Sequence, residues 1–272
     1  MKHFSFNKSN IDNLIEISRS AGNIIMDIYE ADYDINYKND SSPLTIADTK
    51  SNEIIVSALN KLDPRLPIIS EESSNIPFKK RSKWRDYWLI DPLDGTKEFI
   101  KKNGEFTTNI SYISHNKPVF GMIHVPSKNQ FFWGIDGDGA YFFDDTADSN
   151  IKNISVSTDS NRSIRIATSR SHPSPRLEGI LEKIGDYDLI SAGSSLKFCL
   201  VADGSADCYI RLGPTSEWDT GAGEIIARSA GAEVVDINGI PLSYNRNESN
   251  YLNPNFIVTN KSSIKKKILS LI

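Results

Sequence analysis

A chain of 272 residues, 39% of them apolar and 24% charged, can build a sizeable core and is not an intrinsically disordered segment. Its net charge of -4 and pI near 5.6 argue against non-specific nucleic-acid binding, which needs clustered Lys and Arg. No run approaches the ~20 apolar residues of a membrane span, and MKHFSFNKSNIDNL lacks the apolar block of a signal peptide, so a cytoplasmic location is expected.

Ile11, Leu14, Ile15, Ser18, Ala21, Ile25 and Ile28 recur at helical spacing behind a cap at Ser9 or Asn10, which predicts an amphipathic first helix. A second helix is predicted from Asp48 to Leu62, stopped by Asp63-Pro64, with Asp48 at its N-terminal end. Two apolar runs follow, Leu66 to Ile69 and Tyr87 to Ile90, and each exits into acid: SEES in one case, DPLDGT in the other. In α/β proteins the carboxyl ends of strands are where ligand crevices form, so these acids point to a site rather than to ordinary surface charge.

From Asn109 to Phe143 the runs NISYIS, PVFGMIHV, QFFWGI and GAYFF alternate with turns, as in a largely antiparallel meander. The polar stretch Asp144 to Arg162 reads as a boundary. After it come strand IRIATS, a helix near Arg176 to Ile184, strand YDLIS, a helix from Ser195 to Ala202, strand CYIRL, a helix from Trp218 towards Ala230 and strand EVVDI. The expectation is an α/β protein with an α+β half over residues 1–150, carrying most of the metal-ligating acids, and an α/β half over 151–272 that completes the site. Cys199 and Cys208 sit among apolar residues and read as reduced core positions, not as a disulfide or a zinc pair. SSIKKKILSLI reads as a basic amphipathic helix with a solvated face; a peripheral place on the cytoplasmic face of the inner membrane stays open, as does a homodimer.

The segment WLIDPLDGTKEF carries the densest chemistry. Asp91 leaves a buried strand, Pro92 stiffens the exit, and Asp94 follows three residues on, so both carboxylates can face one point. Gly95 permits a tight turn and Thr96 offers a hydroxyl. Oxygen ligands without nearby His or Cys suit Mg²⁺ rather than zinc, and Mg²⁺ implies a phosphate partner. Two metals about 3.5–4 Å apart can neutralise a phosphoryl group, align water and stabilise the leaving oxygen. Asp219, in the first turn of a helix, is either a cap or a ligand beside a bound phosphate; both readings stand on sequence. The pattern is one residue longer than the Asp-x-Asp-Gly-Thr nucleophile loop of haloacid dehalogenases, which would misplace the second carboxylate for covalent catalysis.

SEES at 70–73, WLIDPLDGTKEFIKKNGEFT at 88–107, SRSH at 169–172, GSSLKFCLVADG at 193–204 and GPTSEWDTGAG at 213–223 together resemble the inositol monophosphatase superfamily, and within it the 3′(2′),5′-bisphosphate nucleotidases. The resemblance covers nearly the whole chain and implies the layered αβαβα sugar-phosphatase fold. It places two or three Mg²⁺ ions on Glu71, Asp91, the carbonyl of Leu93, Asp94 and Asp219, with Glu71 chosen over Glu72 as the first acid of the pair, its neighbour on an extended segment pointing the other way. Asp48 and Thr96, with Glu71, would orient and deprotonate the attacking water. Glu71, Leu93, Asp94, Gly95, Thr96, Lys97, His172, Ser194, Ser195, Lys197, Arg211 and Asp219 would line the substrate pocket. The expected substrate is adenosine 3′,5′-bisphosphate, a by-product of sulfate assimilation, or its sulfated form, and Li⁺ is expected to inhibit. GTKEF in place of GTTNF separates the chain from the usual inositol phosphatase. An inositol or sugar monophosphatase with the same metal site is the nearest alternative, and a non-catalytic phosphometabolite-binding module is the alternative of another class. For Lys197, a solvated lysine is an equal reading.

Overall fold

The computed structural model describes residues 4–31, 35–37, 43–146, 148–159, 163–170, 175–248 and 250–272. Helix α1 (Lys8–Glu30) begins earlier than its apolar stripe, because Asn7 is the cap: its Oδ1 accepts the amide of Asn10 at 3.0 Å. The pair β1 (Ile35–Tyr37) and β2 (Pro43–Thr45) is antiparallel and leads directly into α2 (Ile46–Leu62). A seven-stranded sheet follows: β3 (Ile68–Ser70), β4 (Asp86–Asp94), β5 (Thr107–Ser114), β6 (Lys117–Val125), β7 (Gln130–Ile135), β8 (Gly139–Asp144) and β9 (Asp148–Ile154), arranged in chain order. Only the β3–β4 pair is parallel among them. Short helices α3 (Phe78–Arg81) and α4 (Thr96–Ile100) flank β4.

Strand β9 corrects the reading of 144–162 as a plain boundary: the first sheet runs on to Ile154. Residues 150–153 are exposed at the sheet edge, so the strand buries too little to produce the apolar alternation that would reveal it.

The second sheet contains β10 (Ile164–Ser169), β11 (Tyr187–Ala192), β12 (Cys208–Arg211), β13 (Glu233–Asp236) and β14 (Phe256–Thr259), in the order β11-β10-β12-β14-β13. Strand β14, FIVT, was not foreseen; it lies between β12 and β13 and is antiparallel to both. The remaining helices are α5 (Pro175–Ile184), α6 (Leu196–Ala202), α7 (Glu217–Ser229) and α8 (Ser262–Leu269).

The layers are read from the apolar clusters. Ile11, Leu14, Ile55 and Leu59 of α1 and α2 pack on Trp88, Ile90, Phe120 and Met122. On the opposite face, Ala222 and Ile226 of α7 and Cys199 of α6 meet Ile123, Val125 and Phe132. Phe198 and Val201 of α6 and Ala227 of α7 also pack against Tyr209, Val234, Phe256 and Val258 of the second sheet. Leu177, Ile180 and Ile268 of α5 and α8 close that sheet's far side over Ile166, Ile210 and Ile257. The order is helices, sheet, helices, sheet, helices: the layered αβαβα arrangement. Both cysteines are buried free thiols.

Helix α7 approaches the first sheet closely because glycines face it from below. A Cβ on Gly121 would lie 2.6 Å from the Cα and carbonyl oxygen of Ala222, and one on Gly134 would lie 2.7 Å from the Cα of Ile226. On the helix itself, a Cβ on Gly221 would lie 2.6 Å from the Ser111 hydroxyl. Backbone therefore rests almost on backbone, and the helix start that carries Asp219 is held down beside the end of β4.

Candidate active site

Asp91 and Asp94 are three residues apart, and on a regular strand they would point to opposite faces. The register removes that conflict: Asp91 pairs with Asn109 and Asp94 with Thr107, so β4 spends three residues where β5 spends two. The extra residue is a β-bulge at Pro92-Leu93, which restores the parity and turns both carboxylates to one side. Proline suits this position because it has no amide to donate. The freed Pro92 carbonyl accepts from the Ser51 hydroxyl at 2.7 Å and the Thr108 hydroxyl at 3.3 Å, which pins the bulge to α2 and β5.

Asp219 is the third residue of α7 and closes a capping box with Ser216, its Oδ2 accepting the Ser216 amide at 2.9 Å. The cap is thus made, and the carboxylate is also placed where it could be a ligand: one oxygen each of Asp91, Asp94 and Asp219 can be chosen so that all lie within 4.8 Å of one another. Burial pushes Asp91 and Asp219 well above the ordinary carboxylate range, and the charges of Glu71 and Asp94 push both further. Asp94 is also raised by burial, against the opposing pull of the Ser195 hydroxyl and Lys197. Carboxylates that repel one another in a buried cluster are what a hard divalent cation would neutralise, so the donor set fits Mg²⁺.

Glu71 lies at the exit of β3 and lines the same cavity, whereas Glu72 does not. The physical reason offered from sequence needs correcting. Glu71–Ser73 form a 3-10 turn rather than an extended segment, so strand alternation is not what separates the two acids. Asp48 is buried at the start of α2 in a second capping box, accepting the Thr45 amide and hydroxyl, each at 2.7 Å. The Thr96 hydroxyl donates to Asp48 Oδ1 at 3.2 Å and lies 3.4 Å from the Leu93 carbonyl. Gly95, at φ 88°, takes the left-handed conformation that starts α4.

The cavity, about 400 Å³, continues from the acids to a cationic wall formed by Lys97, Lys197 and Arg211 with Ser194, Pro214 and Thr215. Lys197 is not solvated: it is 4% exposed, and its ammonium donates to the carbonyls of Ala192 and Ser194. Burial lowers its pKa to about 8, with Asp94 the leading group pulling the other way. Arg211 donates to the Pro214 carbonyl at 2.7 Å, while its Nε is buried without a partner, as is the Thr215 hydroxyl. Unsatisfied buried donors in a pocket wall are a place for an anion to bond.

Ser195 has a structural part besides the place on the pocket that the sequence suggested. It is buried, accepts from Asn109 Nδ2 at 2.8 Å, and lies 2.6 Å from Asp94 Oδ2 and 2.9 Å from the Asp219 carbonyl. Its bonds join Asp94 to α7, and it lines the cavity as well. His172 lies outside the described residues.

Glu105 and Asn109 escaped the sequence reading. Glu105 accepts the Gly193 amide at 2.8 Å and both guanidinium arms of Arg170 at 2.7 and 2.8 Å, which ties the GEFT segment to the start of GSSLK. For Glu105 the available signal was its place in the 88–107 block; Asn109 lies just beyond that block, and each acts on a residue more than 60 positions away.

Because the clustered acids are raised, their stabilising contribution is complete below the unfolded carboxylate pKa near 4 and is lost as pH rises through their folded values. Glu217 and Glu224, each raised to about 7 by burial, act in the same direction. Without metal, Tm is therefore expected to fall between about pH 4 and pH 7, and Mg²⁺ is expected to restore it most at the high end. Thermal unfolding in EDTA and in Mg²⁺ across that range checks this; a metal-free Tm that rises over the same interval contradicts it.

Three converging carboxylates at a strand end and a helix start, faced by the buried Lys197, are a group that could hold a hard cation. The chain belongs to the inositol monophosphatase family, whose model matches residues 7–272. It is 41% identical, over 92% of its length and 99% of the relative's, to the 3′(2′),5′-bisphosphate nucleotidase CysQ of Escherichia coli K12. The protein of that name from Haemophilus influenzae is 33% identical over 95% of this chain and 96% of its own. The crystal structure of CysQ from Bacteroides thetaiotaomicron superposes with a TM-score of 0.82 at 40% identity, covering 94% of this chain and 99% of that one. An IMPase from Thermotoga maritima shares the fold at 24% identity, with a TM-score of 0.78 over 97% of this chain and 96% of that one.

Proposed function

We propose that this enzyme is a Mg²⁺-dependent phosphomonoester hydrolase that converts adenosine 3′,5′-bisphosphate to AMP and phosphate and also accepts the sulfated nucleotide. The observation that carries the reading is the cationic wall: Lys197 and the unpartnered Arg211 Nε and Thr215 hydroxyl share one cavity with the acid cluster. A substrate with two phosphates needs a second anion pocket beside the reacting centre, and a simple monophosphate leaves such donors unpaired. The likeness to bisphosphate nucleotidases at 41% identity supports the same substrate class.

Glu71, Asp91, Asp94, Asp219 and the Leu93 carbonyl would hold two or three Mg²⁺ ions. Bound there, Mg²⁺ supplies neutralisation of the phosphoryl charge and a lowered pKa for water. The chain's own part is to position and to move a proton. Thr96, already donating to Asp48 Oδ1, keeps lone pairs with which to accept from the attacking water, so the proton has a route from water through Thr96 to Asp48. Glu71, on the opposite lip, orients the same water. Lys197, Arg211 and the Ser194 segment hold the phosphate that does not react, and the exposed Lys97 screens the approach.

The test is phosphate release by the purified protein with Mg²⁺. Adenosine 3′,5′-bisphosphate is expected to give a kcat/KM at least about tenfold above that of inositol 1-phosphate, the scale of one charge-assisted contact. Equal or better turnover of inositol 1-phosphate would replace the nucleotidase reading with that of an inositol or sugar monophosphatase.

A further inference from the structure

The two elements that bring acids from opposite halves of the chain, the turn of Glu71 and the start of α7, do not rest on one another through the acids alone. A strap formed by residues 251–253 joins them. The Tyr251 carbonyl accepts the Glu217 amide at 2.7 Å, and the Asn253 amide donates to the Thr215 carbonyl at 2.9 Å. Asn253 Nδ2 donates to the Ser216 carbonyl at 2.7 Å and the Thr220 hydroxyl at 3.0 Å. The strap is therefore fastened to the first turn of α7, two residues from Asp219.

Its other end reaches across to the acid turn. The Tyr251 hydroxyl donates to the carbonyl of Ser74, the residue that closes the Glu71–Ser73 turn, at 2.8 Å. The ring has two close neighbours: Trp218 lies at 5.2 Å between centroids, and the Arg81 guanidinium sits 4.3 Å from the ring centre. Arg81 is itself 2% exposed and fixed by bonds of 2.6 Å to Asn245 Oδ1 and the Asn247 carbonyl. The hydroxyl cannot swing away without disturbing a buried ion that is bonded elsewhere.

We infer that Tyr251 is a positioning residue: by bonding the helix start through its carbonyl and the acid turn through its hydroxyl, it sets the spacing between Asp219 and Glu71 and hence the affinity of the site for Mg²⁺. The inference rests on the reading above that those two carboxylates share cations. Four like charges brought together by different elements tend to push those elements apart, and the geometry a small octahedral cation demands is lost first when they yield. A tether outside the ligand set opposes that spreading without touching substrate or metal.

Tyr251→Phe keeps the ring and removes only the hydroxyl. Mg²⁺ is titrated against the full-length variant with two readouts: the rise in Tm without substrate, and phosphate release from adenosine 3′,5′-bisphosphate. The half-saturating Mg²⁺ concentration is expected to rise about fivefold in both, the scale of one net hydrogen bond, with kcat at saturating Mg²⁺ within about twofold of wild type. Tyr141→Phe, which removes a hydroxyl bonded to Asp138 on the distant β7–β8 hairpin, is expected to titrate as wild type does. A Tyr251→Phe protein with unchanged half-saturation, or one whose kcat stays depressed at saturating Mg²⁺, overturns the inference. A wild-type protein whose Tm does not respond to Mg²⁺ overturns the metal reading beneath it, an outcome distinct from the first two.

Discussion

Asp91→Asn is expected to give a folded protein whose phosphate release is at least about a thousandfold lower than wild type, because charge neutralisation by a bound metal supplies several kcal/mol of the rate enhancement. The amide has the size of the carboxylate and keeps an oxygen that can accept the Leu93 amide, which Asp91 Oδ1 takes at 3.1 Å. It removes the negative charge at the most buried corner of the acid cluster, where Asp91 is 1% exposed. The substitution also relieves repulsion, so the metal-free Tm of the variant should equal or exceed that of wild type while its response to Mg²⁺ shrinks. Opposite movements of activity and metal-free stability separate loss of a cation ligand from simple unfolding. Turnover at the wild-type level by Asp91→Asn would remove the metal-based reading. A wild-type protein that binds the nucleotide without turnover would instead make the chain a binding module.

The second large effect is expected at a residue that has no side chain to ligate or ionise. Gly121→Val puts side-chain carbon where the backbone of Ala222 lies, 2.6 Å from an ideal Cβ, and a helix backbone cannot yield as a flexible side chain can. Helix α7 must lift, taking Asp219 with it. The cost of such overpacking, about 1–3 kcal/mol, corresponds to a Tm loss of roughly 2–5 °C in a chain of this size. The half-saturating Mg²⁺ concentration should rise at the same time, although no ligand has been changed. Gly179→Ala is the control: it lies in α5, a Cβ there meets nothing within 4 Å, and a gain of about 0.5–1 kcal/mol is expected. Equal metal titrations for wild type and Gly121→Val would show that the close approach of helix and sheet does not hold the site together.

The acids nearest one another in sequence were legible because their neighbours advertise them. A buried run, a proline, two aspartates, glycine and threonine follow in twelve residues, and no core needs that combination. Lys197 was not legible in the same way. A lysine in the first turn of a helix reads equally as solvated or as a pocket residue, and only the packing of α6 between two sheets shows it buried beside Asp94. Ser195 stands in a motif that places it on the pocket, which it lines, but the bonds of its hydroxyl to Asp94 and α7 cross the fold and leave no local signal. Strand β9 hid because an edge strand with exposed residues has no apolar period. Strand β14 hid because three apolar residues and a threonine among Asn and Pro are too few to tell from a buried loop.

Local patterns by themselves determined the apolar faces of α1 and α2, the meander of the first sheet and the acids at two strand ends, because each is written in residues fewer than about ten positions apart. Only the tertiary structure decided that Asp91 and Asp94 share a face, since that depends on the register of a neighbouring strand, and that Asp219 joins them, since more than 120 residues of chain separate it from Asp94. Sequence spacing constrains angles within an element, whereas the distance between elements is set by what the packed surfaces permit: two glycines under α7, and the strap at its start.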